Sequence, residues 1–139
     1  MDQVLLDTDI FSEVLKAKNL NVVRNSAAYR NQFGRYTVAA ITLTEIVKGL
    51  QKVGREDRIQ ILTTAIAAEE VLPLERETAI FAGRIYGELE KSGQPIGRCD
   101  PFIAAIAIHH QLVLVTGNTK HFERIGALGF PLRLANWRS

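Results

Sequence analysis

Three carboxylates in this 139-residue chain stand where acids are chemically useful. Asp7 closes a short apolar run in LLDTDIF, Glu45 lies in ITLTEIVKGL, and Asp100 precedes Pro101 in GRCDPFIAAIA. Each also has a purely structural reading. An Asp at a strand end often caps the next helix, although Asp9 is better placed to cap one that begins at Ile10. Thr42 and Glu45 form the T-x-x-E pattern of a capping box. Asp100 before a proline suits an N-cap with Pro at the first helical position. Serine or threonine would cap equally well, however, and clustered carboxylates repel one another unless a cation lies between them. A divalent-metal site on Asp7, Glu45 and Asp100 accounts for all three acids at once. Hard oxygen donors without His or Cys favour Mg2+ or Mn2+.

The other ligand types assemble no rival site. His109 and His110 are adjacent, so on a helix they point roughly 100° apart, and neither has a partner at zinc-ligand spacing. His121 reads as a surface or loop residue. Cys99 is the single cysteine, which excludes an internal disulfide and suits a reducing compartment. It reads as a small packing residue.

Elements that could position the acids follow from periodicity and punctuation. Strands are expected at Gln3 to Leu6, Tyr36 to Ala40, Glu70 to Leu74, Leu112 to Thr116 and Pro131 to Leu134. Helices are expected at Ile10 to Lys18, Leu20 to Gln32 with Asn19 as cap, from Thr42 onward, and at Arg55 to Ala68. Further helices fall at Glu75 to Lys91, from Asp100 through FIAAIAI, and at Lys120 to Ile125. Ser92 to Arg98 has loop composition. Strands alternating with helices predict an α/β fold with helices on both faces of a mostly parallel sheet of four to five strands. In such sheets the functional crevice lies beyond the C-terminal strand ends. That rule selects Asp7, the region after Ala40, and Thr116 to Asn118.

Length and a hydrophobic content of 47% fit one domain over residues 1–139 with its own core. The apolar opening meets Asp7 too soon for a secretory signal. Phe102 to Ile108, the longest apolar run, falls far short of the roughly 20 residues of a membrane span. A soluble, cytoplasmic protein is expected. The net charge of +2 is nearly balanced and argues only weakly for nucleic acid.

Taken in order, four segments resemble the PIN domain, and within it the VapC toxin branch of bacterial VapBC toxin–antitoxin pairs. LLDTDIF is similar to the opening strand and first acid, and ITLTEIVKG to the motif in which Thr is followed three residues later by Glu. QPIGRCDPFIAAIA is similar to the Ile-Gly turn before the third acid and its Ala-rich helix. LVTGNTKHFERIGAL is similar to the Thr-x-Asn turn and short helix that follow. The likeness runs from about Val4 to Trp137. It implies a three-layer α/β/α sandwich and an endoribonuclease whose metal is held by Asp7, Glu45 and Asp100. Asn118 falls where many PIN domains place a fourth acid, and is expected to position water or phosphate. Thr8 and Thr116 are expected beside the acids. The resemblance further implies Mg2+, a transfer or ribosomal RNA substrate, a VapB-type antitoxin and a homodimer.

An acidic pocket needs cations to hold RNA around it. Arg98, Lys120, Arg124 and Lys48 lie near the acidic motifs in sequence. Two rival readings stand beside the nuclease. Asp7 and Asp9 have the D-x-D spacing of haloacid-dehalogenase-type phosphatases, although Ile-Phe follows in place of the expected pair. A PIN-like interaction module, its acids serving only as caps, is the non-enzymatic alternative.

Overall fold

A computed structural model describes all 139 residues. The first strand, β1 (Val4–Leu6), is followed by α1 (Thr8–Lys16), α2 (Leu20–Phe33) and β2 (Thr37–Ala39). Then come α3 (Ala40–Lys52), α4 (Glu56–Ala65) with a short 3-10 turn over Ile66–Ala68, and β3 (Glu70–Leu72). The second half comprises α5 (Arg76–Lys91), α6 (Asp100–His109), β4 (Val113–Val115), α7 (Thr119–Ala127) and β5 (Leu134–Ala135). No helix is long and apolar enough to cross a membrane.

The five strands form one sheet in the order β3-β2-β1-β4-β5, and all four pairings are parallel. Successive strand residues face opposite sides, which gives two cores. Leu5, Ala39 and Leu114 meet Ile85 and Leu89 of α5, Ile103 and Ile106 of α6, and Phe122 of α7. Leu6, Val38 and Val115 meet Ile10 and Phe11 of α1, Val22 and Tyr29 of α2, and Leu62 of α4. Burial on both faces explains why β1 and β4 read as continuous apolar runs. The result is the expected three-layer α/β/α sandwich.

Several boundaries differ from the sequence reading, for identifiable reasons. Helix α1 begins at Thr8 rather than Ile10, because Asp7 leaves the strand in an extended conformation and its own carboxylate accepts from Thr8 N. Helix α3 runs directly out of β2 with Ala39 as its uncapped N-cap, so Thr42 lies inside the helix and forms no capping box. That motif occurs instead on α5, where Thr78 Oγ1 accepts from Glu75 N. Helix α6 has Cys99 as its N-cap residue, without a side-chain cap, in place of Asp100. Strand β5 lies later than the expected Pro131 to Leu134, since Leu132 N is turned back onto Phe130 O and pairing starts only at Arg133 O. Asn19 does cap α2, accepting from Val22 N at 3.1 Å.

Candidate active site

Strand order reverses direction at β1, so a crevice opens between the C-terminal ends of β1 and β4. Asp7 sits at its floor. The residue is 5% exposed and its backbone N–H continues the ladder to Val115 O. Its two carboxylate oxygens are separately oriented: Oδ1 accepts from Thr8 N and Oδ2 from Thr116 Oγ1, both at 2.8 Å. The Thr116 hydroxyl, fully buried, also accepts from Asn118 N at 3.0 Å. One threonine therefore ties the first acid to the turn after β4.

Glu45 comes from α3. Thr8 Oγ1 lies 2.5 Å from Glu45 Oε1 and 3.1 Å from the hydroxyl of buried Thr42, linking the start of α1 to α3. Asp100, at the first position of α6, folds its carboxylate back so that Oδ2 accepts from Gly97 N at 3.0 Å. The glycine matters here. A Cβ at Gly97 would lie 2.6 Å from that same oxygen, inside any tolerable contact.

The charges of Asp7, Asp9, Asp100 and Glu45 act on one another in pairs. Burial, followed by the charge of Asp9, pushes the Asp7 carboxyl up to about 7 from 3.8, against the lowering effect of its hydrogen bonds from Thr116 and Thr8. Asp100 adds to the same push. The Asp100 carboxyl is itself raised, first by burial and then by Glu45 and Asp9, while His121 lowers it. No three His, Cys, Asp or Glu side chains are drawn to common ligand distance. The donor set nevertheless suits a hard divalent cation, since all its ligating atoms would be carboxylate oxygens supplied from three elements. Asp7, Glu45 and Asp100 are the residues that could hold it.

The remaining sequence candidates separate into two groups. Thr116 is built into the site through Asp7, while the side chain of Asn118 is exposed and makes no hydrogen bond. Arg98 and Lys120 are exposed and form no ion pair. Lys48 is also exposed, and its charge reaches Cys99. Arg124 is instead engaged on Pro95 O at 2.9 Å, pinning the Ser92 to Arg98 loop. Cys99 packs against the core beside Glu45, with burial raising its thiol, in keeping with a packing residue. His109 and His110 are exposed at the far end of α6, stacked edge to face.

Asp9 departs most from its sequence reading. It does not cap α1; Oδ1 accepts from Ile10 N and Oδ2 from Gly117 N, at 2.8 and 3.0 Å. Arg138 stands beside it, with Nη1 3.5 Å from Asp9 Oδ2, and donates from Nε to Glu13 Oε1 at 2.9 Å. Neither Glu13 nor Arg138 was legible as part of a group with Asp9. Arg138 is 129 positions from Asp9, and only the Gly117 in the TGN turn hinted at a close approach there. Asp9 is thereby committed to holding that turn and is not available as the general acid of a phosphatase.

A family model described as PIN domain matches residues 4–128. Among curated proteins, the tRNA(fMet)-specific endonuclease VapC of Shigella flexneri is 31% identical over 92% of this chain and 96% of its own length. The ribonuclease VapC2 of Haemophilus influenzae is 32% identical, with 99% of each chain covered. Among solved structures, the DNA-bound VapBC of Salmonella typhimurium matches with a TM-score of 0.80 and 31% identity over 99% of both chains. The promoter-bound VapBC2 of Rickettsia felis matches with a TM-score of 0.79 and 26% identity, covering 96% of this chain and 98% of that one.

Proposed function

The chain belongs to the PIN-domain family and, within it, to the VapC ribonucleases of toxin–antitoxin systems, and on that premise we propose that it is a Mg2+-dependent endoribonuclease cutting internal phosphodiesters of transfer or ribosomal RNA. The observation that carries the reading is Asp7: a buried carboxylate at the sheet's switch point, oriented on both oxygens, with Asp9 and Asp100 raising its charge cost. Such an arrangement is costly unless a cation shares the site.

Asp7 and Asp100 would hold the ion, with Glu45 at its side. Mg2+ (or Mn2+) when bound supplies the charge that polarises a nonbridging phosphate oxygen and lowers the pKa of the attacking water. Thr116 and Thr8 keep the Asp7 oxygens aimed during this step, and Glu45 accepts the water proton. Asn118, free of hydrogen bonds on its side chain, orients the water or the phosphate. Arg98 and Lys120 attract the RNA backbone from the rim. Because water and not the ribose hydroxyl attacks, the products carry 5′-phosphate and 3′-hydroxyl ends.

An antitoxin partner of the VapB kind follows from the same premise, together with a homodimer. A groove of about 330 Å³ between α1, α3 and α4 opens directly at Thr8 and Glu45, with Leu15, Leu50, Ile61 and Leu62 along it. Ile61 is 62% exposed there. An apolar antitoxin segment in this groove would close the acidic cleft from one end.

The test is cleavage of total RNA with and without Mg2+, by wild type and Asp7→Asn in parallel, with the ends mapped. Discrete cuts that need both metal and Asp7, with 5′-phosphates, are expected. Ends bearing 2′,3′-cyclic phosphate would refute the water mechanism. Absence of cutting by a folded, antitoxin-free protein that also binds no Mg2+ would leave an interaction module.

A further inference from the structure

Resting on the ribonuclease reading above, we infer that Arg138 is a substrate-positioning residue whose guanidinium grips a nonbridging oxygen of the RNA backbone beside the Asp7 cleft. The guanidinium lies across the Gly117 peptide so closely that a Cβ there would collide with Nη1. That places it on the turn after β4, at the mouth of the crevice. Asp9, Glu13 and Asp7 all contribute to the negative field around it.

Its orientation is set from behind. Nε donates to Glu13 Oε1, and Nη2 stands 2.7 Å from the same oxygen, so Glu13 grips one edge of the fork. Glu13 Oε2 is left buried without a partner, which shows that the pair is not the saturated two-against-two arrangement of a purely structural bridge. Nη1 makes no hydrogen bond. It is 3.5 Å from Asp9 Oδ2, an oxygen that already accepts from Gly117 N. A planar cation with unclaimed N–H groups, fixed at one edge and 35% exposed, is preorganised for a phosphate oxygen.

Nor is the guanidinium needed to anchor its own segment. Asn25 Nδ2 donates to Trp137 O, Asn21 Nδ2 to Arg138 O, and Arg138 N to Asn136 Oδ1. Trp137 itself is buried against Tyr29, with ring centroids 5.8 Å apart. The backbone therefore has anchors independent of the arginine head. Arg98 and Lys120 make no contact with a site residue, and Arg124 is engaged on Pro95 O. Arg138 is the arginine held against the turn that follows β4, next to Asp9.

The experiment measures steady-state cleavage of a short RNA spanning the strongest cut mapped in total RNA, between 50 and 200 mM salt (on the order of the range where phosphate contacts register). Wild type, Arg138→Gln and Arg138→Lys are compared, each with its melting temperature. Arg138→Gln is expected to raise KM about tenfold with kcat changed less than about threefold. It should also make the slope of log KM against log salt shallower by about 0.7, the share of one single-strand phosphate contact. Arg138→Lys should keep the wild-type slope and recover part of the KM. Gly117→Ala, which pushes the guanidinium and the Asp9 carboxylate aside without removing either charge, should raise KM as well, and together with Asp9→Asn as its control it stands in if Arg138→Gln does not fold. Unchanged KM and salt slope in a cutting wild-type background overturn the role of Arg138 alone. A wild type that cuts no RNA overturns the ribonuclease reading, and this inference with it.

Discussion

Replacing Asp7 with Asn should stabilise the metal-free protein, and more so at pH 8 than at pH 5. Burial, then Asp9, pushes this carboxyl up to about 7 from 3.8. Between those two values the unfolded chain has released the proton while the folded chain still holds it. The folded state binds more protons there, so its stability falls as pH rises. The favourable contribution is whole below about pH 4 and gone once the pH has passed about 7. A gap of just over three pH units, at about 1.4 kcal/mol each, bounds the loss at about 4 kcal/mol. The substituted amide escapes this penalty but fits its surroundings less well. It can accept from Thr8 N, yet its NH2 meets Thr116 Oγ1, whose hydroxyl then loses its acceptor. That mismatch costs about 1–2 kcal/mol. The net expectation is a gain of about 2–3 kcal/mol at pH 8 and about zero at pH 5, read from urea unfolding with a chelator present. Excess Mg2+ at pH 8 should then stabilise wild type and leave the variant unmoved, since only the carboxylate rewards the ion. An equal stability difference at the two pH values would refute the premise that Asp7 is a buried charge awaiting a cation.

Two substitutions probe the supports of the acids. Thr116→Val removes the donor to Asp7 Oδ2 and the acceptor for Asn118 N together, and should cost about 2–4 kcal/mol in urea unfolding. It should also raise the Mg2+ concentration needed for half-maximal cleavage, with Thr116→Ser restoring both; an unperturbed unfolding curve would contradict the bridging role. Gly97→Ala puts a methyl 2.6 Å from Asp100 Oδ2 and forces that flexible carboxylate aside, so kcat should fall at least about tenfold while the melting temperature moves only a few degrees. Wild-type kcat in a folded Gly97→Ala protein would mean that Asp100 need not sit against the Gly97 N–H.

Much of this protein was legible in one dimension because its key signals are local. Apolar runs buried on both faces mark β1 and β4, and their alternation with amphipathic segments implies a parallel sheet covered on two sides. The rule that crevices form beyond strand ends then selects Asp7 and the Thr116 to Asn118 turn before any contact is known. What sequence could not rank was the competition between cap and site. At Asp7 the cap is formed, since the carboxylate accepts from Thr8 N, while the same group feels the charge of Asp100. At Glu45 the capping box never forms, because β2 runs straight into α3 and carries Thr42 one turn deeper, where it meets Thr8 instead. Helix starts depend on where a strand stops, and strand ends depend on neighbours such as the Val115 carbonyl that holds Asp7 N.

The Asp9–Arg138–Glu13 group lay wholly outside the reach of sequence. No periodicity or motif links residues more than 120 positions apart. Their meeting is a product of topology: β5 pairs alongside β4, so the segment that follows it emerges at the same sheet edge as Asp7 and folds back over Gly117. Residue types and spacing along the chain determined the sheet and pointed to Asp7, Glu45 and Asp100 near its strand ends. Only the tertiary structure decided that Arg138 pairs with Asp9 and Glu13, because a charge pair is set by distance in space, and that distance is fixed by strand order rather than by neighbours along the chain.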